Sequence, residues 1–175
     1  MKHYFKPDYY VRNFENIDIQ RLKKAGIRLL LCDIDNTLVA YNDPDSNERV
    51  KKFLKKVEHS GLDVALVSNA SPKRAKRFAK DLDVEHVFYL SFKPTPRNIK
   101  KAMRYYHVAP KQTALLGDQL LTDMLGASLA GCYKILTAPI IEKDKFDTRI
   151  NRFFENFIYR HYSKKHIFKK GEFDD

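Results

Sequence analysis

The chain has 175 residues, of which 43% are hydrophobic and 31% are charged. This balance argues against wholesale disorder and for a globular protein with a sizeable core. The formal net charge of +11 predicts attraction to an anionic partner, namely nucleic acid, an acidic membrane surface or a phosphorylated substrate. No apolar run approaches the roughly 18 residues that cross a bilayer, and residues 1–7 lack the apolar core of a signal peptide. We therefore expect a cytoplasmic protein that could lie peripherally on the inner face of a membrane.

The N-terminal segment, residues 1–26, is predicted to be a peripheral element. Residues 7–11 are interpreted as an irregular docking segment with aromatic anchors. A capping aspartate and a terminating glycine indicate a short helix over residues 18–26. An uninterrupted apolar run then begins at residue 29, and such a run is typical of a strand buried on both faces of a parallel sheet.

Apolar strands and amphipathic helices alternate after this run. Asp45 and Glu48 have the spacing of a capping box at the start of the first of these helices, and Ser71, followed by a proline, begins the next. The alternation predicts a doubly wound α/β fold with a mainly parallel five-stranded sheet. We expect a single domain over residues 1–175, with its core at about 27–140. The predicted strands lie at residues 28–33, 63–67, 87–90, 113–116 and 133–136.

Residues 147–168 are predicted to form a basic amphipathic helix with an aromatic face. In one interpretation, which we favour, the aromatic face packs against the sheet and the basic face is solvated. In the other, the helix lies on an anionic membrane, with basic side chains attracted to the headgroups and aromatic rings at the headgroup boundary. The tail at 169–175 is predicted to fray. The apolar positions of the helix are Ile150, Phe153, Phe154, Phe157, Ile158 and Tyr162.

Polar side chains follow four successive strands of the predicted sheet. These side chains are Asp33 and Asp35, then Ser68 and Asn69, then Lys93, and then Asp118. Because the carboxyl ends of parallel strands meet at one edge, we expect them to converge. Close carboxylates repel unless a cation compensates, and Mg²⁺ prefers oxygen ligands. A carboxylate beside the metal can attack phosphorus, while a second can transfer protons. The sequence therefore predicts a magnesium site that acts on a phosphorylated substrate.

Residues 33–37, Asp-Ile-Asp-Asn-Thr, resemble the DxDxT motif of the haloacid dehalogenase (HAD) superfamily of phosphatases. The three further motifs of that superfamily are matched in order at Ser68, Lys93 and Gly117–Asp118. The resemblance implies that Asp33 is the nucleophile, that Asp35 is the general acid and base, and that Lys93 neutralises negative charge. Dehalogenases of the superfamily lack the second aspartate, so Asp35 favours phosphoryl transfer. The residues implied in phosphate binding are Asn36, Thr37, Ser68, Asn69 and Lys93.

The same resemblance implies a set of Mg²⁺ ligands. They are the Asp33 carboxylate, the Asp35 backbone carbonyl and the Asp118 carboxylate. Asp123 is expected to be a further ligand or a partner of Lys93. Many relatives carry a second acid at the position of Gln119, which cannot supply that charge.

No cap domain is expected over the site, because one turn, one helix and one strand use up the sequence between Thr37 and Ser68. An open site suits a substrate presented on a macromolecule or a membrane. The chain is similar to the YqeG family of subfamily IIIA in its Lys6-Pro7-Asp8 opening, in residues 35–38 and 93–94, and in Gly117-Asp118-Gln119. That family is similar to phosphatidylglycerophosphate phosphatases, which implies a phosphorylated lipid headgroup as substrate.

Two other functions remain open at this point. One is a phosphatase that acts on nucleic-acid ends or phosphoproteins. The other is a nucleic-acid-binding module with a vestigial HAD core, which the charge allows although no motif of an RNA-binding fold is present.

Overall fold

The described part of the chain forms a six-stranded parallel sheet in the order β1-β6-β5-β2-β3-β4, with helices on both faces. The computed structural model describes the backbone of residues 3–141 and 146–175, and the side chains of these residues except 146–152. The strands are β1 (Tyr9–Val11), β2 (Leu29–Cys32), β3 (Asp63–Val67), β4 (Val87–Phe88), β5 (Thr113–Gly117) and β6 (Tyr133–Thr137). The helices are α1 (Ile19–Lys24), α2 (Glu48–His59), α3 (Pro72–Ala79), α4 (Arg97–Tyr105), α5 (Leu125–Ala130) and α6 (Phe146–Lys164).

The central strand β2 explains the apolar run in the sequence. Leu30 and Cys32 belong to the core that includes residues of α1, α2 and α3, whereas Leu29 and Leu31 belong to the core with α4 and α5. Successive side chains of a strand point to opposite faces of the sheet, and here both faces are covered by helices. Every position of β2 is therefore apolar and buried.

The strand order creates a switch point at the carboxyl edge of the sheet. From β2 the chain continues to β3 and β4 on one side, and it then crosses to β5 and β6 on the other. Cys32 at the end of β2 lies opposite Leu116 near the end of β5. Asp33 and Asp118 therefore follow neighbouring strands, at the position where open α/β sheets bind their ligands.

The prediction of five strands missed β1, which had been interpreted as an irregular docking segment. Tyr9–Val11 pairs in parallel with β6, and all three residues are buried. A three-residue strand is too short to show a recognisable pattern. In addition, β4 ends at Phe88 rather than at residue 90, and Leu90 has a φ of 45°, outside the extended region.

The predicted start of α2 was also wrong. Asn47 caps the helix by accepting a hydrogen bond from the Val50 N–H, at 3.1 Å. The Asp45 carboxylate instead binds the Arg77 guanidinium through two hydrogen bonds of 2.8 Å. The loop before α2 is thereby tied to α3.

The C-terminal helix packs differently from the favoured interpretation. Of the α6 residues whose side chains are described, Glu155 and Tyr159 are buried, and Ile158 packs against the core beside Tyr159. Phe153, Phe154 and Phe157 are exposed. The side chain of Ile150 lies outside the described residues. No helix in the described part of the chain is long and apolar enough to cross a bilayer.

The tail that was predicted to fray lies against the edge strand β1. The Asp174 N–H donates to the Tyr10 carbonyl at 2.7 Å, and the Asp174 carboxylate accepts from the Tyr10 N–H at 2.8 Å. Phe173 contacts the Tyr10 ring, with 4.7 Å between the ring centroids. These contacts satisfy the edge of β1 that faces away from β6.

Candidate active site

The centre of the site is a buried ion cluster at the carboxyl edge of the sheet. The Lys93 Nζ lies 2.7 Å from an oxygen of Asp33 and 2.7 Å from an oxygen of Asp123. Only 2% of the Lys93 side chain is exposed. A charged group in such a place needs close partners of opposite charge, and here one ammonium is shared by two carboxylates.

The pKa values of the cluster reflect this shared ammonium. Burial raises the pKa of Asp33, and so do the carboxylates of Asp123 and Asp35, whereas Lys93 lowers it. The net result is a pKa of about 6. Burial alone would lower the pKa of Lys93, but Asp123 and Asp33 outweigh burial and hold that pKa above its ordinary value. The lysine is therefore charged, and it does not fully compensate the acids around it.

Asp118 completes a group of carboxylates that fits a divalent cation. One oxygen each of Asp33, Asp118 and Asp123 lie within 4.8 Å of one another, and all three residues are buried. Three carboxylates against the one ammonium of Lys93 leave two negative charges in excess when all are ionised. An all-oxygen donor set with excess negative charge is the environment that Mg²⁺ prefers. The Thr37 hydroxyl, which donates to Asp118 at 3.3 Å, helps to orient that carboxylate.

Asp123 reaches the cluster because residue 117 is glycine. Asp123 lies on a π-helical turn, Leu120–Met124, between β5 and α5. A Cβ atom on Gly117 would lie 2.2 Å from the Asp123 Cγ, so no other residue fits at position 117 without moving this carboxylate. The second Asp123 oxygen accepts the Gln119 N–H at 3.1 Å. Gln119 cannot itself supply a negative charge, but its backbone N–H helps to hold the Asp123 carboxylate in place.

Asn69 positions Lys93 through the backbone. The Asn69 side-chain oxygen accepts the Lys93 N–H at 2.7 Å, and the side-chain amide donates to the Lys93 carbonyl at 3.2 Å. These two bonds link the end of β3 to the segment after β4. The role predicted for Asn69 in phosphate binding stays a prediction, and its amide has this structural role in addition.

Ser68 and Asn36 lie at the same edge of the sheet. Both are buried, and Ser68 Oγ accepts the Ala70 N–H at 3.1 Å. Asn36 has a φ of 62° in the turn after β2, a conformation that asparagine tolerates better than most residues. The Asn36 carbonyl accepts the Ile140 N–H at 3.0 Å, which ties this turn to the segment after β6.

Asp35 contacts a cation that the sequence analysis did not identify. An Arg74 Nη donates to the Asp35 carboxylate at 2.9 Å, and the other Nη donates to the Pro44 carbonyl at 2.9 Å. Arg74 lies in the first turn of α3, after the capping residue Ser71. It therefore connects the predicted acid and base to the loop that precedes α2.

Comparison with known proteins identifies the family. Residues 1–141 match the family model described as mitochondrial PGP phosphatase. The chain belongs to this family. It is also 33% identical over 158 residues to the "Probable phosphatase YqeG" of Bacillus subtilis, covering 90% of this chain and 91% of that relative. A shorter match, 28% identical over 89 residues, covers 46% of this chain and 37% of the glyceraldehyde 3-phosphate phosphatase of Pyrococcus furiosus.

Solved structures of other phosphatases share this fold. The cobalt-bound form of the deoxy-D-mannose-octulosonate 8-phosphate phosphatase of Haemophilus influenzae has a TM-score of 0.53 at 17% identity, covering 86% of this chain and 97% of that one. The 3-deoxy-D-manno-octulosonate 8-phosphate phosphatase of Yersinia pestis has a TM-score of 0.52 at 22% identity, covering 68% and 66% of the two chains. At these identities the likeness concerns the fold alone. With the family match, it makes this PGP phosphatase family member a phosphatase of the HAD superfamily.

The structure brings most of the predicted site residues together. Asp33, Lys93, Asp118 and Asp123 form the cluster, and Asp123 is the Lys93 partner that one of the two expectations named. The Asp35 carboxylate points to Arg74 instead. Arg74 was not predicted as a site residue because the sequence shows it only as a basic residue in the first turn of a helix, although that helix begins at the site edge. The chemical roles of all these residues remain predictions.

Proposed function

We propose that the protein is a Mg²⁺-dependent phosphomonoesterase that works through a phosphorylated Asp33. The observation that carries this proposal is the buried cluster of Asp33, Asp118 and Asp123 around Lys93. The three carboxylates and the Asp35 backbone carbonyl are the groups that would hold the ion. When bound, Mg²⁺ supplies positive charge that offsets the repulsion between the carboxylates and the phosphate.

Each chemical step then uses a group of this chain. An Asp33 oxygen attacks phosphorus and forms the aspartyl-phosphate, while the bond from phosphorus to the leaving oxygen breaks. Asp35 gives a proton to the leaving oxygen, and it then takes one from the water that hydrolyses the aspartyl-phosphate. Lys93 offsets the negative charge of the transferred group. Asn36, Thr37, Ser68 and Asn69 supply hydrogen bonds at the edge where the phosphoryl oxygens bind.

The proposed substrate is a phosphorylated lipid headgroup such as phosphatidylglycerophosphate. Three observations support it, namely the family to which the chain belongs, the net charge of +11 and the exposed phenylalanines of α6. The stretch between Thr37 and Lys93 contains only a loop, α2, β3, α3 and β4, so no cap domain separates the site from a large surface. We expect peripheral contact with an anionic membrane through residues 147–168.

The test is phosphate release by the wild type and by Asp33→Asn, with Mg²⁺ and with a chelator. The substrates are phosphatidylglycerophosphate in vesicles and a generic aryl phosphate. We expect the wild type to prefer the lipid, the chelator to abolish turnover, and Asp33→Asn to lose at least about 10⁴-fold in rate. Asp45→Asn, which changes an exposed carboxylate bound to Arg77, is the matched control and should stay active.

The possible results separate the chemistry from the substrate. Cleavage of the aryl phosphate alone would support the mechanism and remove support for the lipid. An Asp33→Asn protein that retains the wild-type rate would refute the nucleophile. Salt-sensitive binding to nucleic acid that Asp33→Asn leaves unchanged, without turnover of either substrate, would favour a binding module instead.

A further inference from the structure

Large apolar side chains are exposed around the active site. Where side chains are described, nine large apolar residues are exposed, and six of them lie on three segments that are hydrogen-bonded to residues of the active site or of the π-helical turn beside it. We call these six the apolar rim. The rim consists of Leu90, Phe92, Ile140, Phe153, Phe154 and Phe157. Phe153 is 74% exposed, Phe157 71% and Phe92 67%, and such apolar clusters are typical of interaction surfaces.

Two of the three segments are bonded directly to residues of the site. Leu90 and Phe92 lie on the segment that leads to Lys93, and the N–H of the residue between them, Ser91, donates to the Ser68 carbonyl at 3.1 Å. Ile140 donates its N–H to the Asn36 carbonyl at 3.0 Å. The apolar side chains on these segments therefore lie at the carboxyl edge of the sheet, next to the predicted phosphate-binding residues.

The third segment is α6, which is fixed to the site by one buried carboxylate. An oxygen of Glu155, which is 1% exposed, accepts the Leu121 N–H at 3.1 Å. Leu121 lies in the π-helical turn between Asp118 and Asp123. Phe153, Phe154 and Phe157 lie within two residues of Glu155 in α6, so this bond places their stretch of the helix beside the π-helical turn. Because residues two apart in a helix point to different faces, Phe153 and Phe157 project from the face of α6 that is turned away from Glu155 and exposed to solvent.

We propose that the apolar rim is the surface by which the protein docks on an anionic lipid bilayer, with its active-site edge facing the headgroups. The proposal rests on the proposed function for its substrate. It extends that function by assigning the contact to two loops as well as to α6. Side chains that project from three separate segments suit a fluid interface, which needs no matching surface on a partner.

Charge favours a bilayer with anionic headgroups. The chain carries a net charge of +11, and Lys73 and Arg97 are exposed in the first turns of α3 and α4. In a parallel α/β fold these helices begin at the carboxyl edge of the sheet, the edge where the rim lies. Basic residues beside inserted aromatic rings are typical of interfacial binding to acidic lipids.

The test measures vesicle binding by sedimentation and uses Asp33→Asn protein as the parent, so that no substrate is turned over. The vesicles contain either phosphatidylglycerol with phosphatidylcholine or phosphatidylcholine alone. We expect the parent to bind the anionic vesicles. Phe153→Ser and Phe157→Ser should each weaken binding about tenfold. Phe92→Asn should also weaken it, and asparagine tolerates the φ of 49° at this position.

The matched control is Leu129→Ser, since Leu129 is 47% exposed at the C-terminal end of α5, away from the site edge. It should bind like the parent. Equal binding by the Leu129 and phenylalanine variants, equal binding to neutral vesicles, or no binding at all would overturn the proposal. If the protein did not bind vesicles but formed a dimer that Phe157→Ser dissociates, the rim would be an interface with a second copy of the chain. Lipid hydrolysis is measured separately, so failure of the substrate assignment would not be confused with failure of docking.

Discussion

The buried centre of the active site and the apolar rim both depart from the usual distribution of side chains in a folded protein. The centre buries charged side chains, and the rim exposes apolar ones. In the centre, Lys93 and its two aspartates carry charge in a place that water scarcely reaches. On the rim, Phe153 and Phe157 expose most of their surface to water. Buried charges and exposed aromatic rings both cost free energy unless a partner compensates. The partners that we propose for the two regions differ accordingly, namely a cation with a phosphate for the centre and a lipid surface for the rim.

The two regions also differ in how strongly their residues depend on one another. Lys93 is held by two carboxylates and by both bonds of Asn69, and Asp123 fits only beside Gly117. The rim phenylalanines have no comparable restraints. Substitution in the centre should therefore affect stability and catalysis together, whereas substitution on the rim should leave both nearly unchanged in solution.

The largest effect is expected for Lys93→Met. Phosphatase activity should fall at least about 10³-fold, and the free energy of unfolding should fall by about 3 kcal/mol, because two buried carboxylates lose their shared cation. Phosphate release and urea denaturation are the measurements. The loss of stability should be smaller at pH 5 than at pH 7. The pKa of Asp33 is about 6 with the Lys93 ammonium in place, and it should rise when that ammonium is removed. Asp33 is then largely neutral at pH 5 in the variant and no longer repels its neighbour.

The rim supplies the control for this prediction. Phe157→Ser should change the free energy of unfolding by less than about 0.5 kcal/mol, since the side chain is already exposed. A Lys93→Met protein as stable as the wild type at pH 7 would show that the buried carboxylates do not depend on the Lys93 ammonium for stability. A marked loss of stability in Phe157→Ser would show that this ring packs in solution.

A smaller effect is expected for Gly117→Ala. The new methyl group would displace the Asp123 carboxylate, with which it would clash, and should weaken the apparent Mg²⁺ affinity about 10- to 100-fold. Activity titrated against Mg²⁺ concentration is the measurement. Gly126→Ala is the matched control, because a Cβ atom there lies 3.4 Å from the Pro94 carbonyl oxygen and can be accommodated. Equal Mg²⁺ titrations for the two variants would contradict a role for Asp123 beside the ion.

The residues of the centre could be predicted from the sequence more completely than those of the rim, for a physical reason. The buried strand β2 must be apolar on both faces, so its end is marked sharply by Asp33. The ends of neighbouring parallel strands then had to meet, which brought Lys93 and Asp118 to the same edge. The fit of Asp123 could not be predicted, because it depends on a π-helical turn and on the space beside Gly117.

The rim could not be predicted from the sequence, because helical periodicity does not show which apolar side chains are covered by the rest of the fold. The phenylalanines of α6 have the spacing of a packed stripe, but among the described side chains of this helix the fold buries Glu155 and Tyr159. Similarly, β1 could not be recognised because its three residues form a strand only through pairing with the distant β6. Both features depend on contacts between remote parts of the chain, which local patterns do not encode.

Arg74 lies at the border between the two regions, with 16% of its side chain exposed, and Arg74→Ala should have the smallest effect of the three variants. Asp35 must give up a proton in the proposed mechanism, and Arg74 positions its carboxylate. We expect turnover to fall about tenfold with an alkyl phosphate, whose leaving group needs the proton, but only about twofold with an aryl phosphate, whose leaving group does not. Steady-state rates with the two substrates are the measurement.

The difference between the two substrates separates positioning of Asp35 from a general structural effect. Arg77→Ala is the matched control, since Arg77 lies on the same helix and binds the exposed Asp45 rather than Asp35. It should leave both rates within about twofold of the wild type. Arg74→Lys should restore part of the alkyl phosphate rate, because one ammonium can still contact Asp35 but cannot also reach the Pro44 carbonyl. If Arg74→Ala lowered both rates equally, Arg74 would only hold the loop before α2, and Asp35 would be positioned by the turn after β2 alone.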